Sequence, residues 1–172
     1  MRSLRCVAIA SLVLACSDST GIGLDGPSFL RAWVNGKLVS LGNEDSYLWS
    51  YYGPEMQVQA LRGTLVPAGN PYIMIAINSY HGPGTYPLGD YSTVGGWAQY
   101  GIVSGDPPGV SQSFGTTSQY KGSVRIVAAD TAAGVITGTF EFSALATSGT
   151  GTVQVTGGSF RVHPGMGSVV QP

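Results

Sequence analysis

Three aromatic residues in "SYLWSYYGPEMQ" are the first candidates for chemistry in this chain. In an extended backbone Tyr47, Trp49 and Tyr51 fall on one face, with Leu48 and Tyr52 on the other. Such a row of rings can stack on sugar faces or bury into a partner. It can equally cover a core, since each ring buries about 150 to 250 Å², and exposure of Trp49 is what separates the two roles. The titratable residues are less informative. His81 in "SYHGPGTY" and His163 in "RVHPG" both lie beside turns, and neither has a second His or Cys at a ligand spacing, so no metal site is expected from them. The acids Asp25, Glu44, Asp45, Asp90, Asp106, Asp130 and Glu141 are scattered. A glycosidase needs two carboxylates about 5 to 9.5 Å apart, and a strand-rich fold could bring Glu44 and Glu141 together, but nothing in the spacing selects them. "GNED", "SGDPPG" and "AADTAAG" lack the alternating acids and closing Glu of a calcium loop. There is no G-x-S-x-G elbow and no G-x-x-x-x-G-K-[ST] loop. The expectation is no catalytic residue, no metal and no cofactor.

Cys16 is the remaining reactive group. It follows a basic start containing Arg2 and Arg5 and the uncharged run "CVAIASLVLA", which has signal-peptide length and is too short to span a bilayer. Val13, Leu14, Ala15 and Cys16 resemble the cleavage region of a bacterial lipoprotein signal, in which the cysteine receives lipid. The resemblance implies that residues 1–15 leave, that acyl chains on Cys16 anchor the protein in a bilayer, and that Ser17 sorts it to the outer membrane, facing the periplasm or the cell surface. Residues 16–27, "CSDSTGIGLDGP", would then be a lipidated N-terminus and flexible tether. The 157 residues from Cys16 onward hold no second cysteine, which excludes an internal disulfide in that part. They carry six Lys and Arg against nine Asp and Glu, a net charge of −3, which argues against nucleic acid as a partner.

Glycine decides the class of fold. With 26 Gly and 10 Pro in the chain, the longest segment after Cys16 free of both is Ser123 to Ala133, eleven residues, too short for a long helix. Even that segment alternates: Val124, Ile126 and Ala128 share one face, Ser123, Arg125 and Val127 the other. "FLRAWVNGKLVSL" reads as two strands around an Asn35-Gly36 turn. "MQVQALR" and "WAQYGIV" are further strands, and "YIMIAIN" reads as a central one, apolar on both faces. In "GVITGTFEFSA" the pattern points Ile136, Phe140, Phe142 and Ala144 inward and Thr137, Thr139 and Glu141 outward, while "TVQVTGGSFRVH" reads as two strands joined at Gly157-Gly158. The segment Val103 to Ser118 shows no alternation and reads as a sixteen-residue loop, a place for a binding surface or a mobile excursion. The expectation is one all-β domain over 28–163, with a C-terminal tail at 164–172. It would be an antiparallel β-sandwich of about nine or ten strands, with a closed or half-open β-barrel as the alternative.

"AWVNGK", "GTYPLG", "GSVRI", "ITGTFEFSA" and "VTGGSFRV", in that order, resemble an uncharacterised family of bacterial exported lipoproteins built from β-strands. That family has no established activity, so the resemblance implies location and fold and carries over no catalytic residue. The function expected is that of a non-enzymatic envelope lipoprotein binding another envelope component, a protein complex or a glycan. The alternative is an envelope polysaccharide hydrolase with a carboxylate pair.

Overall fold

Strand alternation and turn chemistry build nearly the whole domain. The computed structural model describes residues 22–42, 46–52, 55–61, 69–104, 109–130 and 132–171. Within them lie eleven strands: β1 Phe29–Val34, β2 Lys37–Leu41, β3 Ser46–Tyr52, β4 Glu55–Leu61, β5 Asn70–Ile77, β6 Gly84–Leu88, β7 Gly96–Ser104, β8 Gly109–Gly115, β9 Gly122–Asp130, β10 Val135–Ala146 and β11 Thr152–Gln171. One short helix, α1 (Tyr91–Val94), sits between β6 and β7.

The pairings make a sheet that folds over on itself. One layer runs β2-β1-β11-β10-β9-β6 and is antiparallel throughout. The other is the antiparallel run β3-β4-β5-β7-β8, which the chain leaves between β5 and β7 to form β6. They join at two corners, where the end of β11 pairs with β3 in parallel and the end of β10 pairs with β8. The fold is an antiparallel, sandwich-like curled sheet with one parallel pair. Strand β11 continues past His163, where the sequence suggests the domain stops, and reaches Gln171.

One core cluster fills the space between the layers. Ile73, Ile75 and Ile77 of β5 face Leu30, Phe140, Phe142, Val155, Phe160 and their neighbours from the six-stranded layer. The expectation for β5 holds, because Tyr72 and Ala76 on its other face are buried as well. Phe140 and Phe142 are 4% and 3% exposed, as their alternation predicts. Asn35 and Gly36 adopt φ of 47° and 78°, and Val34 stands opposite Lys37, so the predicted two-residue hairpin is present.

Four local expectations are corrected. Gly157-Gly158 is not a turn: β11 runs straight through it with a bulge. Gly157 has φ 57°, and the register on both neighbours slips there, Phe142 opposite Val155 but Phe140 opposite Gly158, Trp33 opposite Thr156 but Arg31 opposite Ser159. Two glycines suit a hairpin and a glycine bulge equally well, and the neighbouring strands decide between them. Val103 to Ser118 is not a long loop either, since its ends form the β7–β8 hairpin, with Val103 opposite Val110. The strand "GVSQSFG" lacks alternating apolar residues, yet its ladder needs only backbone groups, and Phe114 packs on Tyr100 with ring centroids 6.2 Å apart.

Thr137, expected outward, is fully buried. Its hydroxyl donates to the Ala128 carbonyl at 3.4 Å, and its ladder neighbour Arg161 is held on that face by the Gly23 and Pro27 carbonyls. Lastly, a bulge at Val127 shifts the inward parity of β9. Thr137 pairs with Ala128 but Gly138 with Ile126, so Ala129, not Ala128, packs against the core.

Candidate binding groove

Sheet register assembles a row of side chains that no single stretch of sequence contains. Across the outer face of the six-stranded layer, Ser40, Arg31, Ser159, Thr139, Arg125 and Thr85 stand opposite one another on β2, β1, β11, β10, β9 and β6. In the adjacent row Leu38 faces Trp33 and Trp33 faces Thr156; beyond the bulge, Glu141 faces Ser123 and Ser123 faces Pro87. The two rows bound an open groove of about 740 Å³. Ile22, ahead of β1, lines it as well.

The groove has an apolar part and a polar part. Trp33 and Leu38 are 49% and 50% exposed, although residues of this size and apolarity usually bury. They are cross-strand partners, and the Gly157 bulge lies against the indole: a Cβ there would come within 3.4 Å of the Trp33 ring. Beyond them the lining is small or hydroxylic: Gly157, Gly158, Ser159, Thr139 and Ser123. Arg31 rises beside this stretch and is positioned twice, its Nε donating to Ser159 Oγ at 3.0 Å and its guanidinium lying 5.7 Å from the Phe29 ring centre. Arg125 and Glu141 are exposed and make no side-chain hydrogen bond or ion pair among the described residues. Three interstrand steps separate Arg31 from Arg125, about 14 Å at the usual strand spacing.

The residues singled out in the sequence fare unevenly. Cys16 and Glu44 lie outside the described residues. Tyr47, Trp49 and Tyr51 do fall on a strand, β3, but their side chains are outside the described part. The β3–β4 ladder steps over an extra residue at Trp49, with Leu48 opposite Val58 and Ser50 opposite Gln57. Tyr47 therefore pairs with Gln59 and Tyr51 with Met56, positions of opposite parity on β4, so a simple alternation from Tyr47 to Tyr51 is interrupted.

His81 donates from Nδ1 to the Ser79 carbonyl at 2.9 Å and lies edge-on to Tyr86. His163 is 2.9 Å through Nδ1 from Ser28 Oγ, which also accepts from the His163 backbone N–H. No group of three or more His, Cys, Asp or Glu among the described residues could hold a metal ion. Glu141 is the one carboxylate among the described residues lining the groove. Sequence reasoning missed Trp33 and Leu38. The signal was present: across an Asn-Gly hairpin with Val34 opposite Lys37, Trp33 and Leu38 must share the face that Ala32, Val34 and Val39 leave to solvent.

Residues 56–164, more than half of the chain, match the model of the family described as a domain of unknown function (DUF6252), and the chain belongs to that family. The matched segment carries the groove residues of β6, β9, β10 and β11 up to Pro164, whereas Arg31, Trp33 and Leu38 precede it. No curated protein and no solved structure matches the chain.

Proposed function

We propose that this protein is a non-enzymatic binding module of the bacterial cell envelope, anchored by lipid on Cys16 in the outer membrane. Its groove on the six-stranded layer engages another envelope component, and a glycan fits that groove better than a folded protein does. The observation that carries this reading is the pairing of two half-exposed apolar side chains, Trp33 and Leu38, with a hydroxyl-rich trough. An apolar platform beside convergent polar groups is the combination that binds a pyranose ring, whose faces are C–H and whose rim is hydroxyl. Among the described residues Glu141 is the one carboxylate lining the groove, whereas a glycosidase works with two.

The test has two arms. Intact mass of membrane-extracted protein should show loss of residues 1–15 and added acyl mass on Cys16; an unmodified chain would overturn the anchoring. Separately, wild type and a Trp33→Ala/Leu38→Ala variant should be compared for retention on isolated envelope polysaccharide and for crosslinking to envelope proteins. The reading expects polysaccharide retention that the variant loses. Equal retention of both would remove the groove as the site.

A further inference from the structure

Resting on the reading of the groove as a binding site, we propose that its ligand is an acidic polysaccharide, held at spaced carboxylates by Arg31 and Arg125 and stacked on Trp33. The charge distribution leads to this chemistry. From Cys16 onward the chain has net charge −3 and only six basic side chains, yet two of them, Arg31 and Arg125, line this groove, with Glu141 the single acid among its described lining residues. The local field opposes the global one, and an anionic ligand is drawn to this face in preference to the rest of the surface.

The two groove arginines are presented differently from Arg161. That residue spends its Nε on the Gly23 carbonyl at 2.8 Å, stacks on Phe29, and fixes the N-terminal segment to the sheet. Arg31 is oriented by Ser159 through Nε, which leaves its two terminal nitrogens for a bidentate carboxylate, and Arg125 has all of its donors available among the described residues. Small residues between them keep the trough open, so a chain ligand can lie across the strands with Thr139 and Ser123 meeting its hydroxyls.

Shape and spacing exclude the competing anions. A bilayer surface is flat and cannot enter a trough. A nucleic-acid strand is held through many phosphate contacts at once, and Arg31 and Arg125 beside Glu141, on a chain of net charge −3 from Cys16 onward, do not make the basic footprint that requires. A uronic-acid polymer carries its carboxylates on the rims of rings whose faces are C–H, which suits the arginines along the trough and stacking on Trp33.

The experiment is calorimetric titration of the purified full-length protein in detergent with polygalacturonate. Its fully methyl-esterified, uncharged counterpart and glycerophosphoglycerol, the soluble headgroup of phosphatidylglycerol, serve as comparison ligands. The proposal expects binding to polygalacturonate that weakens as salt rises, at least tenfold weaker binding to the methyl ester, and at least tenfold loss in Arg31→Gln/Arg125→Gln with an unchanged melting temperature. Equal binding of the methyl ester would overturn the acidic specificity while leaving a glycan groove intact. Undiminished binding by the double variant, preference for the phosphate headgroup, or no binding of either polymer would overturn the proposal. The proposed groove itself falls only if the Trp33→Ala/Leu38→Ala variant also keeps its envelope polysaccharide.

Discussion

Replacing Gly158 by alanine tests the path of β11 through the middle of the domain. If Gly157-Gly158 were a two-residue hairpin turn, a methyl group at the second glycine would point into solvent and cost no more than the left-handed backbone there, about 1 to 2 kcal/mol. In the bulged strand it has nowhere to go. A Cβ on Gly158 would lie 2.5 Å from the Phe140 carbonyl oxygen and 2.6 Å from two carbons of the Phe140 ring. The carbonyl belongs to a paired strand, and the ring is confined by Phe142 and Phe160, each with its centroid 6.2 Å away. Neither neighbour can yield without disturbing the core. Overpacking of this kind costs about 1 to 3 kcal/mol, and a clash with backbone belongs at the upper end.

Gly157→Ala is the internal comparison. Its nearest obstacle is the Trp33 ring at 3.4 Å, so the penalty is mainly the positive φ, about 1 to 2 kcal/mol. The assay is urea unfolding followed by tryptophan fluorescence, with melting curves alongside. A 3 kcal/mol loss lowers the melting temperature by about 6 to 12 °C in a domain of this size. Gly158→Ala within about 0.5 kcal/mol of wild type, or milder than Gly157→Ala, would refute the bulge and with it the register that aligns Arg31 with Thr139 and Arg125.

Phe140→Ala and Phe142→Ala should each destabilise by about 3 to 5 kcal/mol in the same unfolding assay, since both rings sit in the core, and a loss below about 1 kcal/mol would reverse the inward face of β10. Trp33→Ala should cost no more than about 2 kcal/mol, because half the side chain is already solvated, and a larger loss would place the indole in the core instead of at a ligand surface. Cys16→Ser should release the domain into the soluble fraction, measured by fractionation of the envelope. Asp90 caps α1, accepting from the Ser92 hydroxyl at 2.6 Å and, more weakly, from the Ser92 backbone N–H at 2.9 Å, and these bonds hold its carboxyl below its ordinary value of 3.8. Its contribution is therefore full at neutral pH and disappears as the pH falls below that value through its own, so Asp90→Ala should flatten the acid limb of a melting-temperature profile below pH 4.

The alternation of apolar residues by itself determined that this chain is all β and which way most of its strands face. Ile73, Ile75, Ile77, Phe140 and Phe142 are buried as their spacing requires, because burial on one face of a strand leaves a period of two that needs no knowledge of the neighbours. The Asn35-Gly36 hairpin was legible for the same reason: left-handed backbone at two successive residues is a local demand. Only the tertiary structure decided what those strands lie beside. Gly157 and Gly158 could turn or bulge, and β1 and β10 chose the bulge by pairing on either side of it. Thr137 alternates as an outward residue and is buried all the same, on a face to which Arg161 and the segment before β1 are tied. The hairpin pairs Trp33 with Leu38 locally, but the polar row of the groove belongs wholly to this second kind of information. Arg31 and Arg125 are 94 positions apart in sequence, and they share a row because β1, β11, β10 and β9 adjoin in an order that chain sequence does not follow. Periodicity reports a face, whereas a site needs partners, and partners across a sheet are set by long-range pairing.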